Sequence, residues 1–368
     1  MSQINPKNEI IKRRYLRHMQ EARGLAASTI DNALRAIAEY ERFTGFRDFG
    51  KFRASDATAF KRKLLSGGGR RAAELSNRCT ARGKLQPLQR FFKWLAEQDG
   101  YRTKVRFSDV EFFNLSNHDA QIARDRPPKP APSLEQVQHA IRLMPAETDL
   151  ERRDRAMMCC VLLTGARVRA VTTLKLKHVR ADRLGIDQDA RDVRTKFSKS
   201  FTSFFFPVGD DIREMFLTYV DYLRAELRMN GEDPLFPKSL QLVGDACHFR
   251  TVGLSREHWG TADPVRQVFR RAFAAAGLPN YSPHTIRRTL TLLGQQICRT
   301  PEELKAWSQN LAHDDVLTTF RNYGAVATAR QAEIITALGA AANPDDKAFE
   351  AFKAMCSDPR FGALFGRK

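Results

Sequence analysis

Apolar residues recur at helical spacing along most of the chain, with one short interval of a different rhythm. Residues 6 to 24 read as a helix with a basic face. A second helix runs through Ala33, Ile37 and Tyr40 to Gly45, with Ser28 placed to cap its start. A third begins near Ser55 and stops at Gly67-Gly68-Gly69. Beyond that break Leu88, Phe91, Phe92, Trp94 and Leu95 form the apolar side of a long helix over about 75–99. Residues 6 to 100 are thus expected to be a small helical bundle. The segment 117–132 includes Pro127, Pro128, Pro130 and Pro132, which fit neither a helix interior nor a central strand, so it is read as an interdomain linker.

Helical signals resume at Ser133-Leu134-Glu135, and residues 156–163 are apolar on all sides, as in a buried helix. Between Leu184 and Val208 the pattern shortens to β-compatible pieces, Asp192 to Lys196 and Phe204 to Val208, which predict a small sheet or hairpin. Helices are expected again over 212–229, 264–275, 283–298 and 301–308. Ser282-Pro283 is a start signal, since Ser suits the cap and Pro the first helical position. The fold class is mainly α with a small antiparallel β-sheet.

A length of 368 residues points to two or three domains. The net charge of +19 exceeds what solubility needs, and it is uneven: residues 1–133 carry 27 basic and 14 acidic side chains. A polyanion is the natural partner. The basic residues are dispersed among aromatics and helix formers and form no polybasic block, which favours nucleic acid over a membrane surface. No apolar run is long enough to span a bilayer. The scattered cysteines show no paired spacing, and Cys247, His248 and His258 match no recognised ligand pattern, so neither a disulfide framework nor a metal site is expected. Residues 1–15 lack the apolar stretch of an export signal, which leaves the cytoplasm as the expected compartment.

Three segments carry candidate chemistry. They are Leu163-Thr164-Gly165-Ala166-Arg167-Val168, then Ser282-Pro283-His284-Thr285-Ile286-Arg287-Arg288-Thr289, and last Asn310-Leu311-Ala312-His313 followed by Thr318-Thr319 and Tyr323-Gly324. In this order and at these distances they resemble the tyrosine recombinase, or phage integrase, superfamily, and the resemblance covers about 134 to 339. It implies phosphodiester transfer through a phosphotyrosine, without cofactor or metal. Arg167 and Arg287 would present planar forks to the non-bridging oxygens, where charge builds up in the transition state. His284 would accept or relay the tyrosine proton, His313 would donate to a phosphate oxygen, and Tyr323 would be the nucleophile. A hairpin lysine would protonate the departing 5′-oxygen: Lys196, with Lys199 as its rival.

The chain departs from the family pattern at several places. Ala170 stands where an acidic residue is usual, Arg288 where a histidine commonly follows the second arginine, and Ala312 where a glycine precedes the histidine. Tyr323 lies ten residues after His313 rather than the commoner nine. By pattern and position, residues 1–116 resemble the family's helical core-binding domain, with Arg70, Arg71, Arg78, Arg82 and Lys84 as candidate DNA contacts and Arg288 as another in the catalytic half. The resulting expectation is a core-binding domain at 1–116, a linker at 117–132, a catalytic domain at 133–339 and an apolar tail at 340–368 that docks on a neighbouring protomer or back on its own domain. The implied partners are double-stranded DNA and further copies of the chain, a dimer per site and a tetramer in synapsis. A non-catalytic DNA-binding protein of the same fold, and a topoisomerase or resolvase, remain the alternatives.

Overall fold

The computed structural model describes residues 4–66, 71–124, 130–195, 199–243 and 249–313. Of the candidate site residues Arg70, Lys196 and Tyr323 lie outside these, as does the tail expected to dock, and the side chain of Arg71 is likewise not described. The described residues fall into two compact units, drawn from 1–127 and from 128–368.

The first unit is all helix: α1 (Pro6–Arg17), running on through a π-helical turn at His18–Ala22, then α2 (Ala27–Phe43), α3 (Ala54–Leu65), α4 (Arg71–Ala96), α5 (Phe107–Val110) and α6 (Asn117–Arg124). The Asn5 side chain accepts from the Lys7 N–H at 3.1 Å to cap α1, with Pro6 in the first helical position. The start of α2 differs from expectation: its cap is Ala26, in extended conformation and without a side-chain bond, so Ser28 falls inside the first turn. Tyr40 centres the core, meeting Phe60, Phe92 and Phe113 edge-on at ring separations of 5.3, 5.4 and 5.7 Å. Such pairs contribute about 0.5–1.5 kcal/mol each beyond the area they bury.

The first eight residues of the expected linker are helix α6, packed on α4. Ser116 Oγ accepts from the Asp119 N–H at 3.0 Å, as an N-cap does, and Arg78 Nε on α4 donates to the Asp119 carboxylate at 2.8 Å. The helix-breaking prolines begin only at Pro127, so nothing in 117–124 opposes helix.

The second unit contains α7 (Leu134–Arg142), α8 (Asp149–Thr164), α9 (Val168–Val171), α10 (Asp210–Ala225), α11 (Asp263–Ala275), α12 (Pro283–Ile297) and α13 (Pro301–Asn310). Strands β1 (Val179–Arg180), β2 (Gly185–Gln188) and β3 (Phe201–Phe204) form an antiparallel sheet in that order, and β4 (Ser239–Val243) pairs antiparallel with β5 (Phe249–Leu254). Helix α8 is the axis of this unit: every residue from Ala156 to Thr164 is buried, and α7, α10, α12, β3 and β5 pack on it. A capping box of Thr148 and Glu151 opens α8, and Gly165, at φ +61°, closes it in the left-handed region that an L side chain adopts only under strain. Cys159 and Cys160 are fully buried here, and burial pushes each thiol up to about 12.

The fold class is the one read from the sequence, mainly helical with small antiparallel sheets, but the strands are placed differently. Asp192–Thr195 is not a strand. Asp189 O accepts from the Asp192 and Val193 N–H groups to form a turn, and the Asp192 carboxylate is anchored by Lys175 at 2.9 Å and Lys177 at 2.8 Å. The second β-compatible piece leaves the sheet after Phe204: the Phe206 N–H donates to Leu163 O at 2.7 Å, and the ring packs on Trp307 at 4.4 Å. The β4–β5 pair lies where the sequence pattern predicts no strand. Among the described residues no helix is long and apolar enough to cross a membrane, and no cluster of His, Cys, Asp and Glu could hold a metal ion.

Candidate active site

Two turns and one helix face build the site. The first turn follows α8: Thr164 Oγ1 donates to Cys160 O at 2.6 Å and accepts from the Ala166 N–H at 3.2 Å, so the chain reverses at Gly165 and delivers Arg167 to the start of α9. A Cβ at Gly165 would stand 2.6 Å from Leu311 Cδ2 and 3.2 Å from Leu290 Cδ1. Glycine is required there by conformation and by space. The second turn follows α13, where the His313 N–H donates to Ser308 O at 3.1 Å and the Ala312 N–H to Gln309 O at 2.7 Å. This closure puts Ala312 at φ +47°, the position usually held by glycine in such a cap.

Arg287 projects from α12 between these turns and is 7% exposed. Its Nη1 donates to Gly165 O and its Nη2 to Leu311 O. Arg167 donates from Nη2 to the next carbonyl, Ala312 O, at 3.3 Å. Both arginines therefore grip adjacent carbonyls of the peptide that leads into His313. Burial, and next the neighbouring Arg167 cation, push the Arg287 guanidinium down to about 9. Two neighbouring cations, one buried and one half-buried, make an arrangement whose planar donors suit an anion.

His284 lies at the second position of α12, one turn before Arg287, and is exposed, whereas Arg287 is buried. The first turn of α12 contains no acidic residue, and the Ser282 hydroxyl does not cap it. Arg288 is half-buried on the same helix. Ala170, in place of an acidic residue, is buried in α9 at 1% exposure, and the Ala312 carbonyl is one partner that orients Arg167. Lys199 is exposed two residues before β3. The structure thus brings Arg167, Arg287 and the His313 turn together, with His284 on the helix of Arg287.

The candidate DNA contacts of the first unit are partly engaged within it. Lys84 Nζ meets Glu39 at 2.6 Å, Arg78 holds Asp119, and Arg82 is half-buried on α4 between them in sequence. Sequence reasoning gave no part to Gly165, Leu311 and Ala312 as main-chain partners of the arginines. Backbone acceptors carry no residue-type signal.

No curated protein matches the sequence. Among solved structures, a lambda integrase dimer bound to a COC′ core site superposes with a TM-score of 0.55 at 15% identity, over 85% of this chain and 94% of that one. The Tn1549 transposon integrase in complex with transposon right end DNA gives a TM-score of 0.55 at 15% identity, covering 91% of this chain and 99% of that chain. A lambda integrase tetramer bound to a Holliday junction gives 0.55 at 14% identity, over 86% and 76%. At such identities these likenesses speak to fold. The pattern of the phage integrase family itself matches residues 134–330, more than half the chain and the span of all three segments. With the fold, the order of the segments and the family match in agreement, the chain belongs to the phage integrase family of tyrosine recombinases.

Proposed function

We propose that the protein is a site-specific DNA recombinase that cuts and rejoins DNA through a 3′-phosphotyrosine, for integration or excision of a mobile element. The observation that carries this reading is the pair Arg167 and Arg287, fixed side by side on the Leu311 and Ala312 carbonyls next to His313. In the proposed step Tyr323 Oη attacks the scissile phosphorus as His284 accepts or relays its proton. Arg167, Arg287 and His313 stabilise the non-bridging oxygens, and Lys196, with Lys199 as the alternative, protonates the departing 5′-oxygen. A free tyrosine has a pKa of about 10, so it attacks at neutral pH only with this help. Attack by the 5′-hydroxyl of a second strand reverses the step and restores the phosphodiester. The chemistry conserves bond energy and requires no nucleotide cofactor.

The excess of +19 supports duplex DNA as substrate, and solved relatives bound to core-site and junction DNA as dimers and tetramers support a dimer on each site and a tetramer in synapsis. The test is covalent trapping. A duplex selected for binding from a random-sequence pool is nicked near the protected centre and incubated, in EDTA, with the parent protein and with Tyr323→Phe. An adduct resistant to denaturation is expected from the parent alone. Binding without any adduct would replace this reading with that of a non-catalytic DNA-binding protein.

A further inference from the structure

The two turns that anchor the arginines are braced by one stretch of chain that has no part in the proposed chemistry. Strand β3 is the outer strand of its sheet, and its last residue, Phe204, is paired by the side chain of Asn310, the last residue of α13. Asn310 Oδ1 accepts from the Phe204 N–H at 2.7 Å, and Asn310 Nδ2 donates to Phe204 O at 2.9 Å. Beside this pair, Gln188 Nε2 on β2 donates to Ser203 Oγ at 3.0 Å, and Ser203 Oγ donates to Asn310 O at 3.3 Å. Gln188 and Ser203 are buried, so water competes little for these bonds. Two residues beyond Phe204, the Phe206 N–H donates to Leu163 O at 2.7 Å, in the last turn of α8 before Gly165, and the Phe206 ring packs on Trp307 of α13. Residues 203–206 are therefore bonded to the start of the turn that ends in His313 and to the helix end that leads into the Gly165 turn. These same turns supply the carbonyls that orient the guanidinium groups. Arg287 donates to Gly165 O in one and to Leu311 O in the other, and Arg167 donates to Ala312 O. Because the donors of a guanidinium have fixed directions, the separation of the turns decides whether both Arg287 bonds form at once.

We infer that Asn310 is a positioning residue for the arginine pair: by pinning the turn of residues 311–313 to the end of β3, it sets the spacing of the two turns and with it the aim of Arg167 and Arg287 at the non-bridging oxygens. The inference rests on the reading that these arginines stabilise the charge that builds up on the phosphate. An asparagine suits the task because it both donates and accepts. Aspartate would keep the bond from the Phe204 N–H and lose the one to its carbonyl, and alanine would lose both.

The discriminating experiment changes the charge on the phosphate. A duplex in which methyl replaces one non-bridging oxygen of the mapped scissile phosphate has no charge there in the ground state and one negative charge fewer in the transition state, so its cleavage draws less on the arginines. Single-turnover adduct formation is measured on the phosphate duplex and on each methylphosphonate isomer for the parent, Asn310→Ala and Asn310→Asp, with Arg167→Ala and Arg287→Lys as references. Asn310→Ala is expected to slow the phosphate duplex by about 10- to 100-fold, the scale of a small misplacement of catalytic groups, and at least one methylphosphonate isomer by less than about threefold. Asn310→Asp should fall between parent and alanine. Loss of folded protein lowers all rates together and cancels in their ratio. Equal slowing on every duplex, or no slowing on the phosphate duplex, overturns the inference. A double-variant cycle on the phosphate duplex gives a second reading: in the Arg167→Ala background, Asn310→Ala should cost clearly less than it does alone, and full additivity overturns the inference. If an arginine variant is relieved on a methylphosphonate isomer and Asn310→Ala is not, only the role of Asn310 fails. If neither arginine variant is relieved, the reading of the arginines fails, and the inference fails with it.

Discussion

Replacing Gly294 by alanine sets two effects of opposite sign against each other. Gly294 lies inside α12, where by helix propensity alone alanine stabilises by about 1 kcal/mol. Its face, however, is covered by the indole of Trp307 from α13. An alanine Cβ would stand 2.5 Å from Nε1, 2.6 Å from Cδ1 and 2.7 Å from Cε2, where an ordinary carbon contact needs about 3.5–4.0 Å. The ring has little room to slide, because its Nε1 donates to Leu290 O at 2.9 Å and it packs against Phe206 at 4.4 Å. Overpacking of this kind costs about 1–3 kcal/mol, and loosening the indole hydrogen bond about 1 kcal/mol more. After the propensity gain is subtracted, Gly294→Ala should destabilise the second unit by about 1–3 kcal/mol. At about 2–4 °C per kcal/mol for a unit of this size, its thermal midpoint should fall by roughly 2–12 °C, read by calorimetry or urea titration. Because α13 leads into Asn310 and His313, adduct formation should weaken too. The double variant Gly294→Ala/Trp307→Leu should be more stable than the sum of the single changes predicts. An unchanged or raised midpoint for Gly294→Ala would refute the argument, since propensity would then have outweighed packing.

Other expectations follow from the site. Ala312→Gly should raise stability by about 0.5–1 kcal/mol in urea denaturation, because φ +47° strains alanine and not glycine; a lower midpoint would count against a strained cap. Arg287→Lys keeps a positive charge but cannot bridge Gly165 O and Leu311 O, so adduct formation should fall about 10²–10³-fold with DNA retention nearly unchanged. The hydrogen bonds from Lys177 and then Lys175 hold the Asp192 carboxyl well below the usual carboxylate range. A depressed folded-state pKa means its contribution is complete above the unfolded value of about 3.9 and is lost as pH falls through the folded one. Asp192→Asn should therefore lower the urea midpoint at pH 7 and flatten its decline below about pH 4, and an unaltered acid limb would dismiss the pairing.

What the sequence reveals of this protein divides along physical lines. Helices with a one-sided or fully apolar pattern, such as α4 and α8, were readable because burial imposes periodicity on them. The arginine segments were readable because the anion chemistry demands those residue types. A small sheet between Leu184 and Val208 was readable, but its strand bounds and the β4–β5 pair were not, since strands of two to six residues leave too few alternations to register. The first β-compatible piece proved to be a turn because Asp192 serves long-range ion pairs that propensity does not see. The α2 start was missed because Ala26 caps it through the backbone alone, and the α6 helix because the prolines beyond it dominated the composition. The grip of Arg167 and Arg287 on main-chain carbonyls has no signature in residue identity at all.

The adjacent thiols of α8 give the molecule an internal clock. Cys159 and Cys160 sit at 0% exposure on the helix that ends in the Gly165 turn, and their thiolates are suppressed because burial holds both groups near 12. An alkylating reagent can reach them only when α8 parts from its neighbours. With the half-buried Cys79 and Cys298, and also Cys247 and Cys356, replaced by serine, the residual labelling rate counts openings of the helix that leads into the Gly165 turn before Arg167. Slowing of that rate on addition of duplex DNA would measure, in units of time, how firmly a bound duplex holds α8 closed within its own core.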